Sequence, residues 1–118
     1  MKYERKIKEN LDCGIVLAMR VFGAKWKPCI IDGISKGYNR PSELHRYIPE
    51  ATPRVIDMQL SELLDVGVVG KETGEGFPLH SQYYLTDLGQ SIVPIIQQLD
   101  NWGNLHMETV KERLTEVA

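Results

Sequence analysis

Residues Arg40 to Val69 read RPSELHRYIPEATPRVIDMQLSELLDVGVV, and the punctuation of that stretch divides it into two helices. Pro41 suits the first helical position, where an N–H would have no intrahelical partner, and Glu43 two residues on favours the helix dipole. Ile48-Pro49 ends the first helix, because the residue before proline avoids the α region. Thr52-Pro53 opens the second helix, with threonine as N-cap and proline at the first turn. Gly67 closes it by supplying the left-handed conformation that follows many helix ends. Within the second helix Ile56, Leu60 and Leu63 follow the i, i+4, i+7 spacing of a buried face, which leaves Arg54, Asp57, Met58 and Ser61 outward. Two short helices joined this way make the unit that can place its second helix in a DNA major groove.

The flanking sequence extends this unit into a winged helix-turn-helix, a mainly α fold with a small β-hairpin (α+β). Val68 to Thr73 reads as a strand, Ser81 to Leu85 as its return, and residues 74–80, rich in turn formers, as the hairpin tip. Upstream, Asp12 is positioned to cap a helix over residues 13–22, where Ile15, Met19 and Phe22 share a face. A further helix starts near Lys25-Trp26, with Pro28 in its first turn and Trp26, Ile30 and Ile34 along one side. Downstream, Thr86 caps a helix carrying Leu88, Ile92, Ile95, Ile96, Leu99 and Trp102 at helical spacing, kinked at Pro94. Val110, Leu114 and Val117 prolong the apolar stripe beyond Gly103. That is more apolar surface than one small core needs, and a homodimer interface is the reading of it. The domain organisation is then an arm over 1–12, the winged domain over 13–103 and a helical dimerisation extension over 104–118.

Composition narrows the function classes. The 118 residues are 42% hydrophobic and 25% charged, as in an ordinary single globular domain. No apolar run approaches the roughly 18 residues of a membrane span. The polar start lacks an apolar signal core, so the expected location is cytoplasmic. The net charge of −2 conceals an uneven distribution. Residues 20–54 carry Arg20, Lys25, Lys27, Lys36, Arg40, Arg46 and Arg54 against Asp32, Glu43 and Glu50, whereas residues 55–76 carry Lys71 against Asp57, Glu62, Asp65, Glu72 and Glu75. The first turn of the second helix therefore sits at the end of a basic segment and its later turns are acidic. Phosphate contact needs only a local basic face. His45, His80 and His106 are scattered, and no metal-ligand spacing, phosphate loop or nucleophile elbow occurs, so neither an enzyme nor a bound cofactor or metal is expected.

The same residues resemble the HxlR-type winged helix-turn-helix regulators over about residues 13–103. The matching elements are Cys13, Gly23-Ala-Lys-Trp26, Arg40 with Ser42-Glu-Leu44, Ile48-Pro49, Thr52-Pro-Arg54, Leu60, Leu63 and Gly67. They continue with Pro78, Tyr83-Tyr-Leu-Thr86, Leu88-Gly89, Pro94 and Trp102-Gly103. The resemblance implies a transcription factor that binds double-stranded DNA, a homodimer joined by its N- and C-terminal helices, with residues 52–64 in the major groove and 74–80 along the backbone or minor groove. It also implies that an N-terminal cysteine, here Cys13, can sense oxidants or electrophiles. The chain departs from the pattern at Pro41, where an aromatic is usual, and at Gln59, Ser61 and His80, where basic residues are common. Those three changes thin the inventory of phosphate contacts.

The candidate DNA-binding residues are Arg40, Ser42, Thr52, Pro53, Arg54, Asp57, Met58, Ser61 and His80. Arg54 is placed to reach a guanine edge, the alternative being a plain surface arginine. Thr52 caps its helix and can touch a phosphate at once. Met58 suits a thymine methyl, and Asp57 either accepts from cytosine N4 or orients Arg54 or Arg46. Arg40 and Ser42 open the helix that crosses the backbone, and His80 on the wing can carry charge at mildly acidic pH. Tyr38 and Tyr83 read as packing residues. Cys13, near a helix N-terminus, is the candidate redox-sensing thiol, against the alternative of an inert half-buried cysteine. Cys29, beside Ile30 and Ile31, reads as core. Two other functions stay open: a regulator with a small-molecule pocket at the dimer interface, and a winged protein-interaction module that does not bind DNA.

Overall fold

The computed structural model describes residues 11–74 and 81–117. In chain order the elements are α1 (Gly14–Phe22), α2 (Lys27–Ser35), α3 (Pro41–Tyr47), α4 (Pro53–Asp65), β1 (Val69–Thr73), β2 (Ser81–Leu85), α5 (Asp87–Leu105) and α6 (Met107–Val117). Proline occupies the first turn of α2, α3 and α4, where its fixed φ and missing N–H cost nothing. Glycine ends two of these helices. Gly37 and Gly67 have φ of +100° and +79°, and each sits in a paired bond pattern. Gly37 donates to Ile34 and Tyr38 to Gly33 after α2, while Gly67 donates to Leu64 and Val68 to Leu63 after α4. Both are Schellman closures, which satisfy the last carbonyls of the helix while turning the chain.

The core is one cluster contributed by every element of the winged unit. Ile30 and Ile31 of α2, Leu44 of α3, Ile56, Leu60 and Leu63 of α4, and Val68 and Val69 entering the hairpin are almost fully buried, joined by Tyr83 of β2 and Ile92 and Ile96 of α5. Burying each of these aliphatic side chains contributes roughly 1.5–3 kcal/mol. β1 and β2 pair antiparallel from Val69 opposite Leu85 to Thr73 opposite Ser81. The hairpin is pinned to the helix-turn-helix by the Tyr83 amide, which donates to the Asn39 carbonyl at 2.7 Å.

Thr86 joins the hairpin to α5. Its hydroxyl oxygen accepts from the Gly89 amide and lies 2.6 Å from the carbonyl oxygen of Gly67 and 3.0 Å from that of Val68. Gly89 is buried against Val68, where a Cβ would collide with the Val68 carbonyl oxygen. The two ends of this crossing, the exit of α4 and the start of α5, are therefore in direct contact.

Several expectations need correction. α1 begins at Gly14, and Cys13 rather than Asp12 is its N-cap residue, without a side-chain capping bond. Of its apolar face only Phe22 is buried; Ile15 is 77% exposed and Met19 55%. Cys29 is exposed instead of core. α2 starts at Lys27, so Cys29 falls in its first turn, one residue ahead of the buried pair Ile30 and Ile31. The C-terminal apolar residues lie on two helices, α5 ending at Leu105 and α6 beginning at Met107.

Outside the core, α5 and α6 carry an unburied apolar surface. Ile95, Leu99, Trp102, Leu105 and Leu114 are 48–79% exposed. The radius of gyration is 16.0 Å, against about 13 Å for a compact chain of this length. α5 packs on the winged unit through Ile92 and Ile96, while its other apolar residues and those of α6 are left exposed.

Candidate nucleic-acid interface

α4 presents its residues as helical phase requires. Ile56, Leu60 and Leu63 are buried, while Thr52, Pro53, Arg54, Asp57, Met58 and Ser61 are exposed. Thr52 Oγ1 accepts from the Val55 amide at 3.2 Å, satisfying one of the first-turn donors and leaving the others directed out of the helix start. Arg40 is the N-cap residue of α3, and both Arg40 and Ser42 are exposed at its start. The exposed cations Lys25, Arg40, Arg46 and Arg54 supply the basic potential that an anionic backbone requires. Lys25 lies 5.1 Å over the Trp26 ring, which steadies a long side chain that would otherwise be free. His80 and the wing residues 75–80 lie outside the described residues.

Gln59 is buried and so does not belong among the phosphate-facing positions. Its place, three residues after Ile56 and four before Leu63, turns it toward the core face. Asp57 is paired neither with Arg54 nor with Arg46: its Oδ1 lies 3.0 Å from Nε2 of His45 on α3. Charge counting along the sequence misses this partner, because the facing of α3 and α4 that brings the two together is a tertiary feature.

Three polar ties hold the helices that carry these residues. Lys27 is almost wholly buried, with its ammonium 3.8 Å from Glu62 Oε2, bridging α2 to α4. Tyr47 of α3 donates to Asp32 of α2 at 2.6 Å. Lys36 reaches both, at 2.9 Å from Asp32 and 3.1 Å from the Tyr47 oxygen. The Asp32 carboxylate, then the tyrosine oxygen, holds the Lys36 ammonium well above the usual lysine range. The bond to Asp32, followed by burial, pushes the Tyr47 phenol up. Tyr38 stacks on Tyr47 with ring centroids 4.7 Å apart, and Tyr83 is buried, so both act in packing. α3 is thereby fixed at its middle by Leu44 in the core and at its C-terminal end by Tyr47 on α2.

The two cysteines are free thiols in different settings. Cys13 is half-buried at the N-cap of α1. At Cys29, partial burial and the charges of Asp32, Glu50 and Asp100 push the thiol up, which disfavours the reactive thiolate. Among the described residues no cluster of histidine, cysteine and carboxylate could hold a metal ion, and no helix is long and apolar enough to cross a membrane.

Comparison with known proteins agrees with this geometry. The family model for HxlR-like helix-turn-helix proteins matches residues 21–111. The HTH-type transcriptional regulator YkvN of Bacillus subtilis (strain 168) is 34% identical over 100 residues, covering 85% of each chain. Among solved structures, the redox regulator HypR in its reduced form superposes with a TM-score of 0.79 at 29% identity, over 85% of this chain and 99% of HypR. The crystal structure of the HTH-type transcriptional regulator ytcD gives 0.75 at 31% identity, over 81% and 98%. The buried and outward faces of α4, the hairpin behind it and these matches lead to one conclusion: this chain belongs to the HxlR-like helix-turn-helix family and is a DNA-binding transcriptional regulator with a winged fold.

Proposed function

We propose that this regulator binds a pseudo-palindromic operator as a homodimer in the cytoplasm, with α4 of each protomer in the major groove and residues 74–80 along the flanking backbone. The observation that carries this reading is the split of α4 into a buried Ile56, Leu60, Leu63 face and an exposed Thr52, Arg54, Asp57, Met58, Ser61 face. Arg54 reads a base edge, Met58 meets a thymine methyl, and Thr52, Pro53 and Ser61 line the groove wall. Arg40 and Ser42 hold phosphates from the start of α3, and His80 adds a wing contact. The exposed apolar faces of α1, α5 and α6 join the two protomers, residues 104–118 extending the interface beyond the winged domain of 13–103. Two α4 helices about 34 Å apart then meet successive turns of one face of the duplex.

The test is the binding of the purified protein to DNA flanking its own gene, by gel shift at stated salt. Arg54→Ala is expected to lose most of the preference for operator over unrelated duplex, a loss of about 1–3 kcal/mol if the contact is bidentate. Unchanged discrimination would remove Arg54 from base reading.

A second element of the reading concerns the signal. HypR is a redox regulator solved in reduced and oxidised forms. Cys13, a thiol at the N-cap of the exposed helix α1, supports an analogous role here: modification by an oxidant or electrophile would alter the dimer geometry and with it the spacing of the α4 pair.

A further inference from the structure

We propose that His45 is a positioning residue for base recognition. It donates Nε2–H to Oδ1 of Asp57 and so holds that carboxylate with its second oxygen ready to accept from the exocyclic amino group of a cytosine in the major groove. This rests on the reading that α4 enters that groove.

Asp57 lies on the exposed face of α4, one turn beyond Arg54 and one turn before Ser61. A carboxylate there is repelled by the phosphates on either side of the groove. What it gains from DNA has to come from a donor on a base edge, and an ionised carboxylate can only accept. Cytosine N4 is the donor that acidic side chains read in the major groove.

The contact with His45 decides how Asp57 meets that donor. Because the carboxylate offers no hydrogen, the imidazole nitrogen 3.0 Å from Oδ1 is the one that carries it. His45 comes from α3, the neighbouring helix of the pair, and is the more enclosed partner: its side chain is 27% exposed against 58% for Asp57. A residue anchored on one helix thus fixes the direction of a side chain on the other. The rotamer freedom of Asp57 is spent on folding instead of on binding, which favours the one base geometry the fixed carboxylate fits.

The experiment is a selection of bound sequences from randomised duplexes by the full-length protein and its variants, with a thermal melt of each. Wild type is expected to enrich a site with one position where cytosine is preferred. Asp57→Ala should lose that preference, and Asp57→Asn should move it toward adenine, whose N6 and N7 an amide reads. His45→Ala should weaken the cytosine preference by about tenfold, a typical size for one groove contact, while His45→Gln, whose amide can still donate, should keep it. If His45→Ala melts too low to assay, His45→Glu serves instead, since it cannot donate to Asp57 and must lose what His45→Gln keeps. An unchanged cytosine preference in His45→Ala or His45→Glu overturns the role of His45. A wild-type site with no position sensitive to Asp57 overturns the reading of cytosine. Enrichment of no sequence by wild type overturns base-specific binding itself, a different failure from the other two.

Discussion

Gly67 and Cys13 are single positions where backbone conformation or location decides what the residue does. Gly67, at φ +79°, closes α4 and starts the turn into the hairpin. A Cβ in that left-handed region is strained by about 1–2 kcal/mol. Gly67→Ala is expected to lower stability by that amount in urea unfolding, with the midpoint moving and the slope unchanged. Cys13 sits at the head of α1, whereas Cys29 has its thiol pushed up by burial and by Asp32, Glu50 and Asp100. Diamide should therefore act through Cys13. Cys13→Ser is expected to abolish the change that diamide causes in operator binding, and Cys29→Ser to leave it as in wild type; a Cys13→Ser protein that still responds would end the thiol-sensing proposal.

At the scale of elements, α3 and α4 divide their work. Arg40 at the head of α3 and Lys25 before α2 are exposed and have no base edge to read in the proposed pose. Lys25→Ala and Arg40→Ala are expected to weaken specific and unrelated duplexes alike and to lower the slope of log affinity against log salt by about one each. α4 is legible from the sequence almost to the residue, because its cap, its terminal glycine and its apolar period all agree with the tertiary packing. Cys29 and Gln59 are not. Both depend on rotational phase near a helix boundary or at the margin of an apolar face, where a shift of one residue turns a side chain by about 100°. The His45–Asp57 pair escapes sequence reading for another reason: helical phase gives the face of each residue but not the angle at which two helices meet. The outcome at α1 follows from counting apolar residues without counting partners. Ile15 and Met19 have the spacing of a core face, yet the winged unit already fills its core without them.

At the scale of the whole molecule, the described residues form a filled core that leaves apolar residues of α1, α5 and α6 exposed. Ile95, Leu99 and Trp102 keep about half or more of their surface exposed on α5, and Leu114 does so on α6, an apolar area that a second protomer would cover. Leu99→Glu is expected to convert the species seen by sedimentation from dimer to monomer, with the melt of the winged core little changed. Operator affinity should fall steeply, because two half-sites joined in one molecule bind far more tightly than each alone. A dimer that persists in Leu99→Glu would exclude α5 as its seam. The shared hydroxyl of Thr86 has a mechanical consequence for such an assembly. α5 has 19 residues and is about 28 Å long at 1.5 Å per residue; Thr86 at its head lies within hydrogen-bond distance of the carbonyls of Gly67 and Val68, just past α4. The helix packs in the core through Ile92 and Ile96 and also carries the exposed Ile95, Leu99 and Trp102. In the proposed dimer one helix therefore joins the seam to the end of α4, so a change in the grip between protomers is expected to change the fit to DNA as well.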